Sequence, residues 1–112
     1  MTALPATQDI VIRLGVTFRL DINVDDSNGD ALDVSAYTGA MQVRASRDSA
    51  TVLATGTVTT SSTGLVRVEI SSATTGGYDW TSGVYDVIIT DASNVSTCIV
   101  EGYASTLQPV TQ

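Results

Sequence analysis

The chain is 112 residues long and carries 12 acidic residues against five arginines, with no lysine and no histidine, for a formal charge of −7. That length suits one domain, which would bury about two-thirds of its unfolded surface and fold without staples. The lone Cys98 excludes an intramolecular disulfide, the lack of histidine removes the commonest general base and metal ligand, and the acidic balance argues against nucleic acid or anionic membrane as partner.

Serine and threonine supply 29 of the 112 residues, and charged residues only 15%, against about 25% in a typical soluble domain. This is the composition of a β protein with a neutral, hydroxyl-rich surface suited to packing among neighbours. The 43% apolar content, clearly alternating, supplies enough burial to exclude a disordered chain.

Residues Met1 to Asp9, MTALPATQD, lack the basic start and apolar run of a secretion signal, and no stretch of 18 apolar residues occurs anywhere. The expectation is a protein made in a cytoplasm and not exported by a cleavable signal, which leaves the Asn94-Val95-Ser96 sequon a chance match. Ile10, Ile12 and Leu14 then alternate until Gly15 breaks the pattern. From Val16 to Val24 every even position is apolar and every odd one polar, the mark of a strand with one buried face. Asp25 to Asp30 is a turn, in which Asn28-Gly29 signals a hairpin through positive φ at both central positions. A short segment, Ala31 to Val34, and a corner, Ser35 to Gly39, follow.

Met41, Val43 and Ala45 alternate with Gln42, Arg44 and Ser46 as the next strand, and Val52 to Val58 is extended. Thr59 to Gly64 is a polar hairpin loop. Val66, Val68 and Ile70 alternate with Arg67 and Glu69. Between Ser71 and Trp80, Ser71 or Ser72 can cap a single helical turn that Gly76-Gly77 ends at once. Val84 to Thr90 puts Tyr85, Val87 and Ile89 on one face; Asp91 to Asn94 turns into a last strand, about Val95 to Ser105, and Pro109 marks a tail. About eight short strands at a spacing of about 8–12 residues predict a single antiparallel two-sheet β-sandwich over residues 1–112. One short helical turn falls near 71–80, and 1–8 and 107–112 are candidate extended arms.

The chemistry on offer is thin. Asp26, Asn28 and Asp30 make a weak calcium candidate, because the twelfth position counted from Asp26 is Tyr37, where a bidentate glutamate is needed. A solvated hairpin explains the same residues. No serine, nor Cys98, has a histidine or lysine to activate it, Glu69 and Glu101 have no flanking sugar cleft, and Thr75-Gly76-Gly77 lacks the features of a phosphate loop. No enzyme, cofactor or metal is expected. Cys98, on the face opposite Ile99, is read as a small buried apolar residue. Arg44, Asp86 and Glu101 lie mid-strand, so they either face water or form a partly buried clamp in which Arg44 grips a carboxylate in two places; both roles are structural. Tyr78 and Trp80 are the candidate exposed aromatic anchors of an interface, or else cap one end of the sandwich.

Several runs together resemble a known family: Gly15-Val16-Thr17-Phe18, Asn28-Gly29-Asp30-Ala31-Leu32-Asp33-Val34-Ser35, Tyr37-Thr38-Gly39-Ala40-Met41-Gln42-Val43-Arg44, Gly83-Val84-Tyr85-Asp86-Val87 and Glu101-Gly102. The chain, roughly from Asp9 to Tyr103, is similar to the small immunoglobulin-like module of tailed-bacteriophage virion proteins, of which the amino-terminal domain of the lactococcal phage baseplate upper protein is an example. It departs from the family at Ser72 to Trp80, where members carry an alanine- and leucine-rich turn. The resemblance implies an immunoglobulin-like fold and a structural, non-catalytic docking or adaptor role at a baseplate or tail fibre. It also implies other virion proteins as partners, in multiple copies, and the virion as location. A capsid decoration (cement) protein shares the same profile. A carbohydrate-binding module is a further alternative, with one Trp, four Tyr and one Phe for an aromatic platform.

Overall fold

A computed structural model describes residues 6–110. Eight strands and one helical turn follow in order: β1 (Ala6–Thr7), β2 (Ile10–Arg13), β3 (Phe18–Asn23), β4 (Thr38–Arg44), β5 (Val52–Thr60), β6 (Leu65–Ile70), α1 (Ser72–Thr75), β7 (Ser82–Thr90) and β8 (Ser96–Leu107). The period-two pattern places the strands well. In β6, Val66, Val68 and Ile70 are buried while Arg67 and Glu69 face out, and β7 alternates the same way through Tyr85, Val87 and Ile89. Val16 is one exception. The alternation runs through it, yet it stays outside the strand and 43% exposed, because Gly15 turns at φ 76° and delays β3 until Phe18.

Pairing is where the structure departs from the expected all-antiparallel arrangement. The strands form one hydrogen-bonded path, β1-β8-β7-β4-β5-β6-β3, with β2 also on β8, curled around the core. The path is mixed, since β1 and β2 both run parallel to β8. Continuity comes from β5, whose Val52 to Gly56 pair with β4 while Thr57 to Thr60 pair with β6. Gly56 sits at this change of partner. A Cβ there would lie 2.6 Å from Val68 Cγ1 and 3.1 Å from Met41 Sδ, so only glycine lets the strand turn so close to the core.

The concave side holds that core, with Ile12, Met41, Val43, Val66, Val68, Val87 and Ile89 fully enclosed. α1 forms where Ser71 caps it, its Oγ accepting from the Thr74 N–H, and Gly76 ends it. The fully buried Thr75 fastens this turn to the entry of β3: its hydroxyl accepts from the Gly15 N–H and donates to the Val16 carbonyl. The expected arm at 1–8 is a strand where it is described. Ala6 and Thr7 lie on β8, and Gln8 donates to the Glu101 carbonyl while its own carbonyl accepts from the Tyr85 hydroxyl. The rest of that arm, and residues 111–112 of the other, lie outside the described residues, and Leu107 ends β8.

Candidate docking face

The convex side of β4, β7 and β8 assembles the mid-strand polar residues through strand register alone. Gln42 pairs with Asp86, and Asp86 with Glu101, so the three form one row across three strands. Beside it runs the row Val52, Arg44, Val84, Tyr103, and on the other side the row Ala40, Ile88, Cys98. The acidic row is therefore flanked by the mostly apolar Ala40, Ile88 and Cys98 on one side and on the other by a row in which Arg44 stands between Val52 and Val84, where Tyr103 is 69% exposed. A hollow of about 270 Å³ lies between the stripes, lined by Gln42, Arg44, Ser46, Arg47, Val84, Asp86 and Ile88 among others.

Arg44 does not grip a carboxylate. Its Nε and Nη2 donate to Gln42 Oε1 at 3.3 and 2.9 Å, and its Nη1 donates to the Ser49 carbonyl at 2.8 Å, which ties down the turn after β4. That turn presents Arg47, whose Nη2 crosses β7 to reach Glu101 Oε1 at 3.1 Å. The carboxylate partner is thus Arg47, a loop residue that strand periodicity does not single out. Asp86 enters none of the three ion pairs found among the described residues, and it sits directly beside Glu101, a like-charge neighbour that a strand pair tolerates at a cost.

Cys98 opens onto this face and is half-buried, which corrects the expectation of a buried apolar residue. The cause is a bulge. Val87 pairs with Val100 and Ile88 with Cys98, so Ile99 is the extra residue; Ile99 and Val100 both turn inward and Cys98 is left outside. Its Sγ lies 3.7 Å from Glu101 Oε2, and burial, with Asp86 and Glu101 nearby, pushes the thiol above its ordinary value.

The other candidates lie elsewhere. Asp26 spends its carboxylate on its own turn: Oδ1 accepts from the Asn28 and Asp30 N–H groups at 2.8 and 3.1 Å. Of the two central residues only Gly29 has positive φ, and a single bridge, Asp25 to Ala31, closes the hairpin. No group of three His, Cys, Asp or Glu placed to hold a metal occurs among the described residues. Tyr78 and Trp80 lie 5.4 Å apart between tilted ring centroids and pack half-buried against the core rather than standing fully exposed. Their polar tips, Tyr78 Oη and Trp80 Nε1, are buried with no hydrogen-bond partner.

No protein-family model and no curated protein matches the chain. Solved structures do resemble it. One, from work on multimeric cell-adhesive interactions of VGSC beta subunits, has a TM-score of 0.50 and 14% identity, covering 96% of this chain and 97% of that one. At that identity the likeness shows an all-β, immunoglobulin-like fold alone. A second, a family 123 glycoside hydrolase from Clostridium perfringens, has a TM-score of 0.40 and 12% identity, with 96% of this chain spanning 24% of that one.

Proposed function

We propose that this protein is a non-catalytic docking module that binds a neighbouring protein through the convex face of β4, β7 and β8. The observation that carries the reading is the striped face itself: an open hollow bordered by Val84 and Ile88, with Asp86 outside the ion pairs found among the described residues. A partner that places an arginine or lysine over Asp86 and apolar side chains over Ile88 and Tyr103 would match all three stripes. On the same reading the curled sheet is an immunoglobulin-like two-layer sandwich, with β5 passing from one layer to the other. Support comes from the change of partner within β5 and the core held between the two sets of strands.

The sequence runs that resemble the immunoglobulin-like module of tailed-phage virions supply the setting: a baseplate or tail-fibre adaptor present in several copies on a virion. The structural neighbour, from work on multimeric cell-adhesive interactions, belongs to the same broad class of binding domain. A capsid decoration protein is the second reading, favoured by the acidic, hydroxyl-rich surface. A carbohydrate module ranks last, because Trp80 and Tyr78 are packed against the core and offer no open platform.

Electron cryo-microscopy of particles carrying the chain tests location: tail density supports the adaptor, capsid-lattice density supports the decoration protein, and absence from both overturns the virion setting. Asp86→Arg tests the face. The variant keeps its circular dichroism spectrum and melting temperature but is lost from the particles; normal incorporation would overturn the docking assignment.

A further inference from the structure

The edge strand β3 carries a pattern that is complementary to itself. Among the described residues β3 ends the hydrogen-bonded path and pairs with β6 alone, so its other side offers unpaired backbone groups. Its register with β6 runs unbroken from Phe18 to Asn23, with no bulge or proline to guard the edge. Reversed about Leu20, the sequence matches by class: Arg19 falls opposite Asp21, Phe18 opposite Ile22, and Thr17 opposite Asn23. From the open edge and this palindrome we infer that β3 pairs antiparallel with β3 of a second copy, on a two-fold axis at Leu20.

The neighbouring strand strengthens the match. Arg19 is already bonded to Glu69, and Asp21 to Arg67, each across the β3–β6 pair. Joining two copies places Glu69, Arg19, then Asp21 and Arg67 of the second copy in one row, so charge alternates without a break across four strands. Any other register that keeps the apolar side chains on the core side sets Arg19 or Asp21 against a neutral or like-charged residue. Phe18 and Ile22, half-buried at the edge, would each gain an apolar neighbour. The pairing is isologous and closes at two copies. It does not depend on what the β4–β7–β8 face binds, and Asp86→Arg leaves it intact.

Sedimentation equilibrium under reducing conditions tests it. The wild type associates to a dimer, while Arg19→Asp and Asp21→Arg, each putting like charges together at two places, weaken self-association by about tenfold or more. An equimolar mixture of the two variants restores the dimer, because each then supplies the charge the other lacks. A spin label on Thr17→Cys in a Cys98→Ser background reads the register independently: backbone positions 17 in the two copies lie six residues apart along the pair, about 20 Å. A wild type that stays monomeric up to about 1 mM, a regime of very weak association, would overturn the inference. So would single variants that dimerise like the wild type, a mixture that stays monomeric, or a label separation far from that value.

Discussion

The two convex faces of the curled sheet use nearly the same residue types to opposite ends. On β3 and β6, opposite charges sit directly across from each other: Arg19 with Glu69, Asp21 with Arg67, both short and both solvated. On β4, β7 and β8 the register instead sets Asp86 beside Glu101, and the balancing arginine has to arrive from a loop. The first face is electrostatically complete within the chain, and its charges lead outward only at the β3 edge. The second has Asp86 outside the ion pairs found among the described residues, beside a hollow bordered by Val84 and Ile88. Charge order across a strand pair, more than charge content, separates the solvated face from the proposed docking face.

Met41 underlies both faces, since it is fully buried at the point where β5 changes partner. Met41→Ala should cost about 2–5 kcal/mol and weaken both together, seen as a lowered midpoint in urea with an unchanged slope. A loss confined to one face would show the sheet to be two independent units. Thr75→Val acts on one side only. It leaves the Gly15 N–H and the Val16 carbonyl without their side-chain partner at the entry to β3 and should cost about 1–3 kcal/mol. Amide exchange should rise in β3 while β7 and β8 keep their protection.

Cys98 reports on the second face without destabilising it. Because the nearby carboxylates disfavour the thiolate, Asp86→Asn with Glu101→Gln should move its alkylation profile to lower pH, and a bound partner should shield it. An unchanged profile would mean that those charges do not govern the face. The smallest effect belongs to the first face. The Arg67 guanidinium holds the Asp21 carboxyl below its ordinary value, chiefly by a hydrogen bond. Its stabilisation is therefore present above the unfolded-state value and fades as pH falls through the folded one. Arg67→Gln should remove that acid-side dependence and leave neutral-pH stability almost unchanged, since the pair is solvated.

Much of the strand layout was legible because it depends on local alternation. β6, β7 and the turn at Ser71 could be placed from Val66-Arg67-Val68-Glu69-Ile70, from Tyr85, Val87 and Ile89, and from a capping serine followed by two glycines. Arg44, Asp86 and Glu101 could be picked out as mid-strand charges, but their partners could not: Arg44 turned to Gln42 and Ser49, and Glu101 to Arg47. Thr75 gave no signal either. One threonine among many polar neighbours becomes a buried staple only because Gly15 is brought against it from 60 residues away.

The sequence by itself determined where most strands run and, within an unbroken strand, which side chains share a side, because successive residues of a strand must point to opposite sides. Only the tertiary structure decided that β1 and β2 run parallel to β8, that β5 serves two neighbours, and that a bulge at Ile99 turns Cys98 outward. Backbone donors and acceptors are the same at every residue but proline, so a strand's own residues do not name its neighbour. The choice is made by shape and burial summed over the whole core.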